Sequence, residues 1–480
     1  MSSELIQTRP RAHNVRTGDF SRDFVEEISR CQDEPKWMRE RRLEAHDAYQ
    51  SLLMPHTADD DEWRRKVDMR TQDYWRRTKR NMRGFNVDDY NPAAFSALDA
   101  SETPASSGIT KTQAESNEES SGVIAIEDGS PVESFVSKET ERKGVYFADL
   151  NTALKERPDL VRSYFMTKGV TTETQLRSGN IPLRNKFDAL HGAFWQGGYL
   201  LHVPKGVVVE VPLRVFIALS ESGHADLSHT IIVADADSKV TILEEQVSSN
   251  GGVAGFHCGA VEIFAGQNAD ITYVQVQRWN QQVWNFSTQR AIAGRDSRLC
   301  WVSGTLGSRL SKLNQTAALE GAGSNVQMLG LTFTHSRQHV DVSTAQEHIA
   351  PHTSSDLLYR TVLRDRSQTA WSGNIYVYPD GQHTDAYQKN DNLVLSDRAH
   401  ADTLPGLEIQ AHEVRCTHGA TAGPIDKEQV FYLMSRGLSR SQAEKMIVDG
   451  FFEPVMDRIP LDSVRGELQD SITQKLAAAK

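Results

Sequence analysis

Cysteine is scarce in this sequence: four residues (Cys31, Cys258, Cys300 and Cys416) among 480. No two of them form a CxxC pair, which excludes a disulfide framework and a self-contained zinc or iron–sulfur motif. Basic charge is outweighed, with 53 Lys and Arg against 64 Asp and Glu and a formal net charge of −11. That balance gives no general case for binding nucleic acid. No apolar run approaches the ~18 residues of a membrane helix, and "MSSELIQTRPRAHNVRTGDF" has no apolar signal core. A soluble, cytoplasmic chain without stable membrane association is expected. GxxxxGK[ST] loops, GxSxG elbows and HExxH helices are missing as well. The chain is therefore expected to have no ATP site of its own.

What is present falls into successive regimes. Residues 1–98 are charged and helix-patterned, with Pro35 placed to start a helix in "PKWMRERRLEAHDAYQSLL". The basic runs "RERR", "WRRK" and "WRRTKRNMR" read as solvated helix faces. Residues 99–131 are rich in Ser, Thr, Glu and Gly and read as a flexible linker or insertion. Helical patterning returns over 132–194.

From 195 to 425 the text becomes short runs of Val, Ile, Thr and aromatics broken by polar turns. The junctions "IIVADADSKVTIL", "EIFAGQNADITYV", "RAIAGRDSRLCWV", "AALEGAGSNVQML", "HIAPHTSSDLL" and "IYVYPDGQHTDAY" look alike. Their last residues before the turn, Ala234, Ala265, Ala293, Glu320, Ala350 and Tyr378, lie 31, 28, 27, 30 and 28 residues apart. Strands recurring at roughly this period predict a solenoid, because a single rung cannot bury its apolar face alone. The expected class is mainly β: a right-handed β-helix core between helical N-terminal and C-terminal regions. Residues 426–480 close the chain as helices, with Asp426 and Ser439 as N-caps and Gly437 as a stop.

Candidate chemistry is sparse. His335, His339, His348 and His352 cluster in sequence, but strand spacing separates i and i+4 by about 13 Å, so they read as polar residues on the outer face of rungs. In "GLEIQAHEVRCTH", Leu407, Ile409 and Ala411 are expected to face the core. His412, Cys416 and His418 are then expected to face outward. A thiol and an imidazole on one face could bind a soft metal or exchange sulfur, or could be a buried polar pair. Two ligands are too few for a closed metal site, so a second chain would have to complete it. A polysaccharide-acting β-helix enzyme is the rival from another class. It would need a row of carboxylates along a cleft and usually a secretion signal, and neither is evident.

Longer stretches carry a resemblance: "LHGAFWQGGYLLHVPKGVVVEVPL", "SSDLLYRTVLRDRSQTAWSGNIYV", "TDAYQKNDNLVLS", "ADTLPGLEI" and "CTHGATAGPIDKEQVFYLMSRGL". Across about residues 140–455 the chain resembles the paired scaffold proteins of the SUF iron–sulfur cluster assembly system, SufB and SufD. The resemblance implies a non-catalytic scaffold pairing with a SufB-like chain, or with itself, and docking the SufC ATPase through its C-terminal helices. It implies a transient iron–sulfur cluster at the subunit interface. A flavin is associated with the family's complexes, but no dinucleotide fingerprint here supports one. Asn390 stands where SufB carries a cluster-assembly cysteine, and His418-Gly419 stands where SufB has His-Glu, so the likeness is to SufD. His418 matches the SufD interface histidine and Cys416 a cysteine common in SufD-like chains. Phe431, Tyr432, Met434 and Arg436 are the implied contacts for SufC.

Overall fold

The structure is a computed structural model that describes residues 20–56, 63, 72, 75–92, 120–166, 185–249 and 252–478. Its centre is a β-solenoid of about eight turns, with helices at both ends. Successive strands alternate between two sheets, and each pairs in parallel with the strand one full turn away. In the second, ten-stranded sheet, Ile242, Tyr273, Trp301, Met328, Leu357, Gln388 and His418 stand in one register column. They lie 31, 28, 27, 29, 31 and 30 residues apart, so the period read from the turns is the physical pitch of the coil.

Each recurring turn bends through one left-handed residue. Asp237, Asn268, Asp296, Gly323, His352 and His383 have φ of 62°, 55°, 55°, 76°, 58° and 60°. Asn, Asp, His and Gly tolerate this region best, which is why such residues punctuate the strands. Each of these residues donates its N–H to a carbonyl of the next turn, as Asp237 does to Gln267 and His352 to Gln382, both at 2.8 Å. The corners are thereby stitched in the same direction as the sheets.

Alternation of side chains divides the coil. Inward positions of the two sheets form one apolar cluster containing Ile232, Ile242, Ile263, Tyr273, Trp301, Met328 and Leu357. Beside it runs a polar ladder. Glu244 accepts from Tyr273 Oη at 2.9 Å, Gln246 Nε2 at 2.9 Å and Gln275 Nε2 at 2.8 Å. Gln289 donates to Gln275 at 2.7 Å and Gln315 to Gln289 at 2.9 Å, while Tyr359 donates to Gln315. A buried polar chain is stable only when its members satisfy one another, and this one does.

Helices seal both outer faces. Phe187, Leu190 and Phe194 of the helix Lys186–Phe194 pack with Phe256, Trp284 and Phe286 on the first sheet. One basic residue departs from the solvated faces expected of the N-terminal region. Arg42 is fully buried, pairs with Glu34 at 2.7 Å and donates to the carbonyls of Ala193 and Trp195. On the second sheet, Val448, Phe452 and Val455 of Arg440–Met456 and Leu468, Ile472 and Leu476 of Asp462–Ala478 cover Val274, Val302, Leu329 and Leu358.

The stretch read as a linker contains a strand. Gly122–Glu127 is buried along its length and pairs in parallel with Leu213–Leu219. Its "GVIAIE" is apolar enough to join the sheet despite its polar surroundings, whereas residues 99–119 lie outside the described residues. Two further strands, Ser130–Val136 and Tyr146–Asp149, interrupt the segment read as helical.

Lys475 of the last helix reaches back to the second sheet and donates to the Phe333 carbonyl at 3.0 Å. Burial pushes its ammonium down to about 7. The folded state therefore disfavours the proton that the unfolded chain keeps up to about 10.5. Unfolding free energy should rise as pH climbs from 7 towards 10, and Lys475→Met should flatten that rise in urea titrations.

Candidate cluster-assembly site at the open end of the solenoid

The coil ends without a cap. The strand His400–Ile409 closes the first sheet and Arg415–Pro424 closes the second; among the described residues neither has a neighbour on its outer side. Leu404, Leu407 and Ile409 are exposed by 47%, 39% and 42%, although Leu407 continues the inward column of Ile375 and Ile409 that of Val377. An uncovered apolar rung with open strand edges is a surface that natural sheets normally protect.

Cys416 and His418 lie on that last rung. Cys416 is in register with Ala386 and His418 with Gln388, so both continue inward columns. This corrects the outward orientation expected from alternation after Leu407. The corner over residues 410–414 lies between the two final strands, and a corner does not preserve the parity of the strand before it. Leu407 and Ile409 do face the core side, as expected. His418 is solvent-exposed because no further turn lies over it, and Cys416 is half-buried beside Ile375, Val377 and Ala386. Burial, helped by Asp385, raises the Cys416 thiol above its ordinary value, which keeps it protonated at neutral pH.

Beneath this rung the lumen is floored by carboxamides. Gln388 donates to the carbonyls of Gly373 and Gly406, both at 3.1 Å. Asn392 donates to Asn390 Oδ1 at 2.6 Å and to the Thr421 carbonyl at 2.9 Å. Carboxamides neither titrate nor match soft metals, so on this floor the soft or imidazole ligands are limited to Cys416 and His418. Gln388 and Asn392 were not singled out from the sequence. Stepping back one period of about 30 from His418 reaches Gln388, and that signal would have found it.

The other candidates separate. His348 is not on an outer face: it lies in the lumen, hydrogen-bonded to Thr353 and Ser355 at 2.8 Å each. His339 is buried against Asn81, and His335 sits near Lys475, so the four histidines share no site. Cys258 is buried with its thiol raised well above the ordinary value by burial, and donates to the Phe187 carbonyl. Among the described residues no three His, Cys, Asp or Glu side chains form a metal-binding group.

The helix Lys427–Ser435 follows the open rung directly. Asp426 caps it by accepting from Glu428 N at 2.9 Å. Val430 and Leu433 pack against Leu393, Leu395 and Ala443, while Phe431, Tyr432 and Met434 are exposed by 73%, 56% and 44%. Arg436 lies over the Tyr432 ring and donates to its hydroxyl at 3.2 Å. Gly437, at φ 98°, ends this segment, and Ser439 opens the next helix with a capping box to Gln442. The four implied contacts therefore belong to one exposed, partly aromatic patch.

Fold and rung together define a class: a β-solenoid whose uncapped last rung carries an exposed imidazole and a half-buried thiol. Comparison with known proteins is more specific. Residues 216–451 match the model of the SUF system FeS cluster assembly SufBD core domain, and residues 120–215 match that of the SufBD protein N-terminal region. The chain is 27% identical over 448 residues to the iron–sulfur cluster assembly protein SufB of Bacillus subtilis, covering 92% of this chain and 90% of that one. It is likewise 27% identical over 445 residues to an iron–sulfur cluster assembly SufBD family protein of Staphylococcus epidermidis, with the same shares covered. The chain belongs to the SufBD family of SUF-system iron–sulfur cluster assembly proteins.

The thiols should be distinguishable in solution. With iodoacetamide at pH 7.5, exposed Cys31 should react first and half-buried Cys416 and Cys300 later. Cys258 should react only on unfolding, as read by peptide mass spectrometry.

Proposed function

We propose that this chain is a SufD-like, non-catalytic scaffold subunit of a cytoplasmic SUF complex. It pairs with a SufB-like chain through the open end of the solenoid and docks the SufC ATPase through the patch around Phe431. The single observation that carries the reading is the exposure of His418 on the uncapped last rung. An imidazole there is a ligand that only a neighbouring polypeptide can complete. Cys416, two residues away on the same face, is the second protein ligand available for a transient iron–sulfur cluster, which is cargo of the assembly. Gln388 and Asn392 hold the rung in place by hydrogen bonds to its backbone. Energy for rearrangement comes from the ATPase, since this chain carries no nucleotide-binding loop. Asn390 supports the SufD-like assignment, because its buried carboxamide cannot do the work of a thiolate.

A SufB-like subunit forming a homomeric scaffold is the second reading, favoured by the likeness to the Bacillus subtilis SufB. Anaerobic reconstitution separates the two. The isolated chain should stay colourless, whereas a stable stoichiometric cluster would establish the second reading.

His418→Ala should lower cluster yield in the co-expressed complex at least about tenfold without changing the urea midpoint, since exposed substitutions shift stability by within about 0.5 kcal/mol. Undiminished yield removes the assignment. Deleting the C-terminal helices would strip the second sheet of its cover, so docking is better tested by Phe431→Glu with Met434→Glu. That variant should fold normally and fail to co-purify with SufC; retained SufC refutes the docking surface.

A further inference from the structure

The left-handed corners place two imidazoles where conformation alone does not require them. Earlier corners of the same column use Asp237, Asn268, Asp296 and Gly323, residues that meet the backbone demand at φ near 60° or above. The last two use His352 and His383, both exposed. Their rings lie with centroids 4.7 Å apart and planes 19° from parallel, one turn above the other. His383 Nδ1 is 3.3 Å from Glu413 Oε2, on the corner that leads into the strand carrying His418. Glu413 is held by its own backbone, which accepts from His383 N at 2.6 Å and donates to Gln382 Oε1 at 3.0 Å.

A carboxylate on Nδ1 fixes the tautomer of an imidazole and leaves Nε2 with a free lone pair, the arrangement that commonly supports metal-bound histidine. We infer that His352 and His383, the latter with Glu413 beside its Nδ1, form a surface site for a divalent transition-metal ion. Imidazole lone pairs lie in the ring planes, and rings only 19° from parallel do not aim them at one point, so the rings must tilt towards each other to share an ion at about 2.1 Å from each nitrogen. Exposed imidazoles can do this by side-chain rotation. The remaining coordination positions belong to water, which suits brief loading and release rather than storage. As the side chains stand, no three His, Cys, Asp or Glu residues among the described ones, these included, already surround an ion. Only the choice of iron(II) as the physiological ion rests on the scaffold reading above; the site itself does not.

Cobalt(II) is the probe, since it binds such nitrogen sites more tightly than iron(II) and reports by visible absorption. The full chain should bind one cobalt ion whose affinity falls at least about tenfold in His352→Asn and in His383→Asn. Asparagine keeps the left-handed turn, so folding is preserved. Glu413→Gln should weaken binding less than either, and His418→Ala should leave it unchanged. Parent-like affinity in either asparagine variant overturns the site. Loss of cobalt in His418→Ala places the ion on the last rung and overturns it too. Because cobalt titration needs no partner chain and no cluster chemistry, its failure is distinguishable from failure of the scaffold reading.

Discussion

Parallel pairing between residues roughly 29 positions apart is the constraint on which this molecule depends. It satisfies the backbone of each strand with the backbone one turn away and stacks side chains of like position into columns. One column runs from Ile242 through Tyr273, Trp301, Met328 and Leu357 to Gln388 and His418. Its chemistry changes along its length from apolar to amide to imidazole. A position that is core in the middle of the stack becomes exposed at its end, and nothing but the termination of pairing makes the difference.

The same termination leaves an apolar edge uncovered. A solenoid is stable rung by rung, yet its last rung has no successor to satisfy its edges or to cover Leu404, Leu407 and Ile409. Terminal repeats are usually capped by polar residues. Here the first helix after the coil packs beside the stack, against Leu393 and Leu395, and leaves the rung open. Apolar rim and amide floor thus lie close together, one suited to association and the other to holding the last strands in shape.

Much of this was legible in the residues because the pitch is written into the turns. Small or carboxylate-bearing residues recur at the corners, and the helix caps Asp426, Gly437 and Ser439 are local enough to be read directly. Orientation across the final corner was not legible, since alternation holds only within a strand, and His418 was assigned to the wrong side for that reason. The strand Gly122–Glu127 was hidden by the polar text before it, because composition averaged over a window conceals the four apolar residues Val123 to Ile126. Arg42 was hidden too. Nothing within its helix distinguishes an arginine that binds carbonyls more than 150 residues away from one that points to water.

The two C-terminal helices lie lengthwise over strands from Lys239–Ser248 to Ser354–Leu363, and are fastened there by Val448, Phe452, Leu468 and Ile472. The patch around Phe431 leads directly into this brace. A pull on that patch would therefore spread as shear over several rungs at once instead of peeling away one.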